Sequence, residues 1–394
     1  MLTFQGGTKV FARAWVSTMD DIEPGCLEQL AHLADLPFAF HHIAVMPDCH
    51  QGYGMPIGGV LAAKGVVICN AVGVDIGCGV CAVKLNLPVE QVKPVLHDLL
   101  NDIQRSVPTG FNWHHAPTAE AEAFFASRDT QGILILEAER ENAKRQLGTL
   151  GGGNHFIELQ ADQDGQVWLM LHSGSRNLGK KVCDHYNEVA EDLNARWFSS
   201  VPKEWELAFL PLDSPEGREY MAAMEFCVAF AEANRRAMVN RVSVEIWRRF
   251  PKAELGEAID VNHNYARLEH HFGQNVVIHR KGAVHAPAGA TVVIPGSMGS
   301  SSYIGRGLGN SESFLSCSHG AGRRMGRKEA TRQFTAESVI LDMRAQGIEL
   351  LKVKKDDVAE ECAGAYKDIE WVMAQEADLV EPVVKLRPIG VVKG

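Results

Sequence analysis

Residues 72–79 read VGVDIGCG, and this stretch carries the strongest structural signal in the chain. An apolar run at residues 66–74 (VVICNAVGV) overlaps it and predicts a buried strand that ends in a tight, glycine-rich turn. Asp75 and Cys78 lie three positions apart in this turn. Because carboxylates and thiolates both bind divalent metals, the turn is a candidate metal site at the end of a strand.

The same pattern recurs along the chain. The 37 glycines fall mostly in clusters at residues 50–59, 73–79, 148–153, 174–179, 296–309 and 320–326. Several clusters border short apolar stretches, such as VWLML at 167–171 and ATVVIPG at 290–296, which also predict buried strands ending in tight loops. Glycine lets the backbone of such a loop approach a ligand closely.

Helical periodicity is strongest near residues 215–250, where apolar residues recur every three or four positions. Shorter helices are predicted at residues 87–105, 118–145, 327–345 and 366–379. Strands and helices do not alternate regularly, so a mixed α+β fold, with helices around a strand-rich centre, is favoured over a doubly wound parallel sheet.

Composition excludes several classes of protein. The chain has 394 residues, and 39 basic residues against 49 acidic ones give a formal net charge of −10. This charge argues against a broadly basic nucleic-acid-binding surface. With 46% hydrophobic residues and no apolar run approaching the ~20 residues of a membrane span, the sequence predicts neither a disordered acidic chain nor a membrane protein. Length alone fits two or three domains, or one large domain.

The cysteines and the amino terminus favour the cytoplasm. Nine scattered cysteines do not form the dense framework of a small secreted fold, so reduced thiols are expected. The first 15 residues, MLTFQGGTKVFARAW, lack the apolar core and cleavage site of a signal peptide.

Five of the 16 histidines lie near glycine, serine or asparagine, in the motifs DCHQG, GGGNHFIE, LHSGS, NHNYA and CSHGAG, namely His50, His155, His172, His263 and His319. A single loop histidine is usually a surface or hydrogen-bonded residue, but five together suggest metal ligation. If three of them converge with Asp75 and Cys78, the ligands suffice for a two-metal centre with ions ~3.5–4 Å apart. A carboxylate in such a set favours a harder ion such as Mn²⁺.

Other interpretations of these residues stay open. Cys78 and Cys81 form a C-x-x-C pair, which also occurs in redox and structural zinc sites, although no second C-x-x-C is present. Asp75 alternatively caps amides of its own turn. Cys49, between Asp48 and His50, is an extra ligand or a packed thiol.

Glycine loops rich in serine and asparagine also suggest anion recognition, because exposed amides and hydroxyls bind phosphate. No P-loop motif is present, and no GxGxxG opens a convincing βαβ unit. Glu158 either accepts hydrogen bonds from a base edge or is a solvated carboxylate at a helix start.

Basic residues near the loops predict a local surface that binds a polyanion. Arg323 is favoured for a ligand contact, whereas Arg327 and Lys328 are more simply explained as a charged helix face. The basic set is Arg280, Lys281, Arg306, Arg323, Arg324, Arg327 and Lys328.

Taken in order, the motifs resemble those of one family, the RtcB RNA-splicing ligases. The resemblance runs nearly end to end through HHIAVMPDCHQGYGMPIGG, VGVDIGCG, LGTLGGGNHFIE, LHSGSR, HNYA, HRKGA, VIPGSMGSSSY, SCSHGAGR, AYKDIEWVM, DLVEPV and the closing KG. The family joins RNA ends bearing a 3′-phosphate or 2′,3′-cyclic phosphate to ends bearing a 5′-hydroxyl. The resemblance implies a GTP-dependent RNA ligase of RNA repair or tRNA splicing.

The resemblance also implies a fold and a metal centre. The expected fold is a single compact α+β domain over residues 1–394, with stacked β-sheets surrounded by helices and a C-terminal tail that reaches the nucleotide site. Two Mn²⁺ ions per subunit are expected. Asp75, Cys78 and His155 would hold one, and Cys78, His172 and His263 would hold the other.

By the same resemblance, His319 is the nucleophile that becomes guanylylated by GTP. The implied guanylate-binding residues are Asn154, His155, Phe156, Ile157, Glu158, His263, Asn264, Pro295, Gly296, Ser297, Met298, Ser302, His319, Gly320, Ala321, Gly322 and Lys393. Without the resemblance, a lysine next to the chain end would be expected to be solvated.

The implied partners are the RNA ends and GTP, with an accessory activating protein as a further candidate and no membrane. Which RNA is joined, whether tRNA halves, ribosomal fragments or another broken RNA, does not follow from the motifs. Two rival functions keep the same ligands. One is a metal-dependent phosphoesterase without a guanylylated intermediate, and the other is an RNA- or nucleotide-binding protein without turnover.

Overall fold

A computed structural model of the chain describes residues 1–351 and 356–394. The strands in these ranges are β1 (Leu2–Phe4), β2 (Phe11–Ala14), β3 (Ala39–His50), β4 (Ile57–Ala63), β5 (Val66–Ile68), β6 (Gly79–Pro88), β7 (Phe156–Ala161), β8 (Gln166–Ser173), β9 (Phe209–Pro211), β10 (Ile259–Asn262), β11 (Asn264–His271), β12 (Gln274–Lys281), β13 (Ala283–His285), β14 (Thr291–Ile294), β15 (Ser302–Gly307), β16 (Ser316–Ser318), β17 (Glu349–Leu351) and β18 (Val380–Lys393).

The α-helices in the same ranges are α1 (Pro24–Ala34), α2 (Cys69–Val72), α3 (Val89–Val92), α4 (Leu96–Ser106), α5 (Ala119–Ala126), α6 (Leu134–Gln146), α7 (Arg176–Arg196), α8 (Pro215–Arg249), α9 (Arg327–Gln333), α10 (Ala336–Ala345), α11 (Asp356–Glu360) and α12 (Ile369–Gln375). None of the described helices has both the length and the apolar character needed to cross a bilayer.

The strands form two main sheets. One has the order β1-β2-β3-β4-β12-β11, and the other has the order β10-β6-β8-β7-β18-β15-β14 with β17 beside β18. Most neighbouring strands are antiparallel, whereas β2–β3 and β17–β18 are parallel. Helices and sheets are therefore both present without regular βαβ alternation, and the α+β prediction is confirmed.

The long helix α8 forms much of the core on one side of the larger sheet. It begins where the Ser214 side chain accepts a hydrogen bond from the Gly217 amide at 3.0 Å and Pro215 occupies the first turn. The rings of Phe226 and Phe230 pack edge-on against Phe124 of α5, with centroids 5.3 and 5.6 Å apart. These aromatic contacts anchor the helices to each other.

Arg235 of α8 fixes the ends of several strands. Its guanidinium is fully buried and donates to the Ser173 and Gly77 carbonyl oxygens at 3.0 and 2.9 Å. It also donates to Asp260 and Asn262 of β10, each at 2.6 Å. These four hydrogen bonds hold the turn before β6, the end of β8 and strand β10 together at one point, and they offset the cost of burying the guanidinium.

Some predicted elements are shorter than expected. The predicted helix at 118–145 is divided into α5 and α6 around Gly132, which has a φ of 87°. The helix predicted at 327–345 is divided into α9 and α10, because the Thr335 side chain accepts from the Ser338 amide and starts a new helix.

Three further boundaries differ. The strand predicted at 66–74 ends after Ile68 and continues as the one-turn helix α2, so that prediction is wrong in its second half. The predicted helix 87–105 begins after Pro88, where strand β6 ends, and is divided into the one-turn helix α3 and the helix α4, which starts at Leu96. Within 366–379, only Ile369–Gln375 is α-helical.

Candidate active site

The predicted metal ligands come from neighbouring strand ends of the larger sheet. Cys78 directly precedes β6, His155 directly precedes β7, and His172 lies on β8 between them. In the antiparallel register His172 is opposite Val80 on one side and Phe156 on the other. His263, between β10 and β11, donates its amide to the Cys78 carbonyl oxygen at 2.8 Å. Strand pairing thus brings residues far apart in sequence to one place.

The side chains of these residues form one buried cluster. The Cys78 sulfur lies 3.2 Å from Nε2 of His172 and 3.6 Å from Nε2 of His155. His155 Nε2 is also 3.0 Å from an Asp75 carboxylate oxygen, and His172 Nε2 is 3.4 Å from His263 Nε2. The sequence prediction that these five side chains converge therefore agrees with the geometry.

This donor set fits divalent metal ions. His155 Nδ1 donates to the Leu150 carbonyl oxygen at 3.0 Å, which leaves the lone pair on Nε2 directed at Cys78 and Asp75. The Nδ1 atom of His263 is buried and has no hydrogen-bond partner in the described residues. A thiol, a carboxylate and imidazoles facing one another leave several lone pairs without hydrogen donors, and a cation satisfies them together.

Electrostatics set the protonation of the cluster. Burial lowers the pKa of His172 and of His263 well below the usual value, so both imidazoles are neutral, as metal ligation requires. Burial alone would raise the pKa of Asp75, but the His155 hydrogen bond and the Arg176 charge outweigh it and lower the pKa to about 2. Burial and the Asp75 charge raise the pKa of the Cys78 thiol, so binding of a cation there must displace its proton.

His319 lies next to this cluster. Its ring centroid is 4.8 Å from that of His263, with the two planes at 61°. Its Nδ1 is 2.6 Å from Oδ2 of the fully buried Asp48, and its backbone N–H donates to the same oxygen at 3.1 Å. In the neutral imidazole, Nδ1–H donates to the carboxylate and Nε2 carries the lone pair. Sequence reasoning missed Asp48, although an acidic residue two positions before His50 was a usable signal.

Glycines allow this close approach. Gly322 has a φ of 69°, and a Cβ placed on it would overlap the backbone carbonyl of Asp48. Gly58, with a φ of 83°, packs in the same way against the Asp48 carboxylate, where a Cβ would lie 2.8 Å from Oδ1. The glycine-rich loops therefore bring the two chain segments that carry Asp48 and His319 into direct contact.

A cavity of about 620 Å³ opens beside His319. This volume suits a nucleotide-sized ligand. Predicted guanylate-site residues that line it are Asn154, Phe156, Glu158, Pro295, Gly296, Ser297, Met298, His319, Gly320, Ala321, Gly322 and Lys393. Sequence reasoning did not single out Glu361 and Tyr366, which also line it.

Other residues of the predicted guanylate set lie behind the cavity wall. Ile157 packs into the apolar core, because alternate residues of β7 face opposite sides of the sheet. Asn264 donates to the Asp75 carbonyl oxygen at 3.0 Å and accepts from the Gly282 amide at 2.8 Å. Ser302 accepts from the Gly296 amide at 3.1 Å. His155 and His263 belong to the ligand cluster, and none of these five residues is among those that line the cavity.

The end of β18 brings Lys393 into the cavity. Lys393 pairs in register with Phe156, and its ammonium group lies 3.6 Å from the Glu361 carboxylate and 3.4 Å from the Gly153 carbonyl oxygen. Glu158, on the same wall, is buried and accepts from Gln160 at 2.6 Å. Burial raises the pKa of Glu158 to about 7, although the Gln160 hydrogen bond and the Lys393 charge act in the opposite direction.

A family model described as tRNA-splicing ligase RtcB matches residues 29–394. The chain belongs to the RtcB family. It is 39% identical over 396 residues to the RNA-splicing ligase RtcB of Escherichia coli strain K12, with 95% of each chain covered. It is 35% identical over 438 residues to the tRNA-splicing ligase RtcB of Thermococcus kodakarensis, covering 93% of this chain and 91% of the other. It is also 32% identical over 442 residues to the RNA-splicing ligase RtcB homolog 2 of Entamoeba dispar, covering 94% and 83%.

Two of the basic residues predicted to form a surface patch are buried in this RtcB chain. Arg280 is fully buried, ion-paired with Glu269 and donating to the Phe314 carbonyl oxygen at 2.8 Å, so it cannot contribute to a surface patch. Lys281 is also buried and donates to the Tyr53 and Asn70 carbonyl oxygens at 2.6 and 2.9 Å. The prediction is wrong for both residues, because a basic residue within a strand was treated as if it faced solvent.

Arg323 reaches the cavity but is already engaged by protein groups. Its guanidinium donates to a Glu361 carboxylate oxygen at 3.2 Å and to the Glu360 carbonyl oxygen at 2.8 Å. The Tyr366 hydroxyl donates to the same Glu361 carboxylate. Glu361 thus joins Arg323, Tyr366 and Lys393 into one network at the cavity wall of the RtcB fold.

The cysteines separate into different roles. Cys78 contacts the histidines, whereas Cys81, opposite Leu171 in the register of β6 and β8, packs in an apolar cluster. The C-x-x-C interpretation as a thiol pair therefore finds no support in the geometry. Cys49 is fully buried beside Asp48, and all nine cysteines are free thiols.

Proposed function

We propose that the protein is a GTP- and Mn²⁺-dependent RNA ligase that joins RNA 3′-phosphate or 2′,3′-cyclic phosphate ends to 5′-hydroxyl ends. The observation that carries this proposal is the position of His319, which is bound by Asp48 through Nδ1 and lies between the ligand cluster and the cavity. The names of the relatives, RNA- and tRNA-splicing ligases, support the same reaction class.

Two Mn²⁺ ions would be held by residues that already converge. We assign Asp75, Cys78 and His155 to one ion, and Cys78, His172 and His263 to the other, with the Cys78 thiolate shared. When bound, the ions supply positive charge that neutralises phosphate oxygens and can lower the pKa of a water molecule. The buried, neutral imidazoles and the ionised Asp75 favour this loading.

His319 would be the nucleophile. Its Nε2 attacks the α-phosphorus of GTP, a P–N bond forms, the bond to the bridging oxygen breaks, and pyrophosphate leaves. A 2′,3′-cyclic phosphate end is first opened by water, which forms a bond to phosphorus, breaks the bond to the 2′-oxygen and passes a proton to that oxygen. A 3′-phosphate oxygen of the RNA then attacks the α-phosphorus and the P–N electron pair returns to Nε2. Finally the 5′-hydroxyl oxygen attacks the activated RNA phosphate, loses its proton, and GMP leaves. Throughout, Asp48 holds the Nδ1 proton and stabilises positive charge on the ring.

The cavity would hold the guanylate. We propose that the Glu158 carboxylate accepts hydrogen bonds from the guanine N1–H and amino groups, since a carboxylate accepts from paired donors. Lys393 and Phe156 lie beside Glu158 on the same wall. The loop Pro295–Met298 and the turn His319–Gly322 would contact the phosphate and the ribose with backbone amides.

The test is covalent labelling. Incubation with Mn²⁺ and α-labelled GTP should leave acid-labile label on the wild-type protein and none on His319→Ala. His270→Ala, which removes an exposed histidine of β11, is the matched control and should label normally. Equal labelling of wild type and His319→Ala would show that the nucleophile is misassigned.

Sealing of a nicked RNA stem-loop separates this proposal from its rivals. A ligase joins the ends in a GTP-dependent manner. A metal-dependent phosphoesterase would open a cyclic phosphate but leave the nick unsealed with or without GTP. A protein that only binds RNA or nucleotides would do neither.

We further propose that the enzyme works in the cytoplasm, in RNA repair or tRNA splicing. The Cys78 ligand must remain a thiol or thiolate, and reducing compartments keep cysteines in that state.

An accessory activating protein is a further proposed partner. A purified enzyme that labels once but turns over slowly would support this partner, and sustained multiple turnover of the purified enzyme would argue against it.

A further inference from the structure

Two fully buried carboxylates lie on either side of the chain segment that carries His319. The Ser318 amide donates to Oε2 of Glu376 at 2.8 Å, and the next amide, that of His319, donates to Oδ2 of Asp48 at 3.1 Å. Both acidic side chains have no solvent exposure. Glu376 directly follows helix α12, and Asp48 lies near the end of β3.

The two carboxylates are not equivalent. Asp48 accepts two hydrogen bonds from His319, through Nδ1 and the backbone amide. Glu376 accepts one amide hydrogen bond, and neither carboxylate has an ion pair with lysine or arginine in the described part of the chain. Burying a second, unpaired anion next to the first costs free energy. The carboxyl with fewer hydrogen bonds, that of Glu376, should therefore carry a proton.

The unpaired atoms in this region point to the same protonation state. Asp48 Oδ1, Ser318 Oγ and Glu376 Oε1 are all buried and have no hydrogen-bond partner among the described residues. If Glu376 is ionised, the two carboxylate oxygens compete for a single hydroxyl donor, that of Ser318. If Glu376 is protonated, its acid hydrogen is a second donor, and the number of donors then suffices for the three atoms.

Electrostatic effects agree with this count. Burial raises the pKa of Glu376 to about 8, the charges of Asp48 and Asp378 act in the same direction, and the amide and the side chain of Ser318 oppose them only in part. A carboxyl with this pKa is mostly neutral at physiological pH.

We propose that Glu376 is held as the neutral acid and acts as a positioning residue for Asp48 and, through it, for His319. The neutral acid supplies a hydrogen-bond donor to the buried region without placing a second negative charge beside Asp48. It also fixes the Ser318 amide, one residue before the nucleophile. This inference rests on the proposed role of His319 in guanylylation.

The first test compares two substitutions at one position. Glu376→Ala should lower the rate of His319 guanylylation on the order of 10-fold or more, the scale of losses for groups that orient a reacting side chain. Glu376→Gln supplies a neutral donor of the same shape and should recover most of that loss. Glu381→Gln, at an exposed carboxylate on β18, is the matched control and should label at the wild-type rate.

A pH profile separates this role from a merely structural one. The groups whose charges act on Glu376 are Asp48 and Asp378, with the Cys317 thiol next to Ser318. Above about pH 8 the wild-type rate should fall as Glu376 ionises and repels the Asp48 charge. Glu376→Gln cannot ionise and should lack this alkaline decrease.

Infrared spectroscopy gives a readout that does not depend on activity. Near pH 7, the difference spectrum of the folded wild-type protein minus Glu376→Gln should show the carbonyl stretch of a protonated carboxylic acid, because the partly protonated Glu158 contributes equally to both proteins. Absence of that band, or a Glu376→Gln rate as low as that of Glu376→Ala in a folded protein, would overturn the inference. If wild type itself is not labelled by GTP, the proposed function fails, while the infrared result still decides the state of Glu376.

Discussion

One oxygen of Asp48, Oδ2, holds His319 through both its ring Nδ1, at 2.6 Å, and its backbone amide, at 3.1 Å. Two hydrogen bonds to one atom fix the rotation of the imidazole as well as its tautomer. Asp48→Asn should therefore lower the rate of guanylylation about 10- to 100-fold with little loss of stability, the scale seen when a group that orients a catalytic ligand is changed.

Single-turnover labelling with GTP measures this effect of Asp48. Asp20→Asn, at an exposed carboxylate, is the control and should not change the rate. A wild-type rate for Asp48→Asn would mean that His319 does not depend on this carboxylate for its orientation.

Two cysteines three positions apart allow a matched test of the metal centre. Cys78→Ser should reduce bound manganese and abolish labelling, because a serine hydroxyl is a poorer ligand than a thiolate. Cys81 lies on β6 and packs in an apolar cluster. Cys81→Ser should retain manganese and lower the free energy of unfolding by on the order of 1 kcal/mol. Elemental analysis of the purified proteins after dialysis measures the metal. Equal manganese in both variants would contradict the assignment of Cys78 as the shared ligand.

The ionisation of Glu158 should be visible in guanine binding. Its folded-state pKa of about 7 lies above the usual value of 4.5, so the fold favours the neutral acid. That contribution to stability is complete below about pH 4.5 and is lost as pH rises through 7. Guanine recognition needs the ionised form, so GMP affinity without metal should increase about 10-fold between pH 6 and pH 8, following the ionised fraction.

Calorimetric titration of GMP at the two pH values provides the measurement for Glu158. Glu158→Gln should bind GMP more weakly and with no such dependence. Glu90→Gln, at an exposed glutamate, should behave like the wild type. A flat profile for the wild-type protein would show that Glu158 does not contact guanine as a carboxylate.

Removal of Lys393 and Gly394 should abolish guanylylation without unfolding the protein. The truncation removes the last residue pair of the β18–β7 ladder and the ammonium group beside Glu361, at a cost of about 1 kcal/mol for the lost hydrogen bonding. Labelling and thermal unfolding are measured on the same preparation. Lys385→Ala, which removes an exposed ion pair with Glu370 on the same strand, should label normally. Unimpaired labelling of the truncated protein would refute a role for Lys393.

Sequence patterns located much of the candidate site, because its ligands follow strand ends and glycine turns that are recognisable locally. Asp75, Cys78, His155, His172 and His263 do converge. What the patterns could not supply was the register between distant strands. For Asp48 the sequence offered a signal in its motif, but its contact with His319 appears only when β3 and the segment after β16 lie side by side. Arg280 was misplaced because the sequence does not show which face of β12 is buried.

The helical predictions were limited by local capping rather than by periodicity. The helix α8 ends within one residue of the predicted segment, because its apolar contacts continue without interruption. The segment 118–145 is interrupted by the polar stretch 127–133, which includes Gly132, and the segment 327–345 is interrupted at residues 334–335, where Thr335 caps a new helix. Such short interruptions are weak signals in a periodic pattern.

The placement of His172 on β8, opposite Val80 and Phe156, makes the chemistry sensitive to strand alignment. Because side chains alternate between faces, a slip of β8 by a single position would turn the imidazole toward the other side of the sheet while keeping every type of backbone hydrogen bond. A chain misaligned in this way could be compact and well folded yet inert. In this architecture, fidelity of strand alignment during folding is therefore a condition for catalysis as well as for stability.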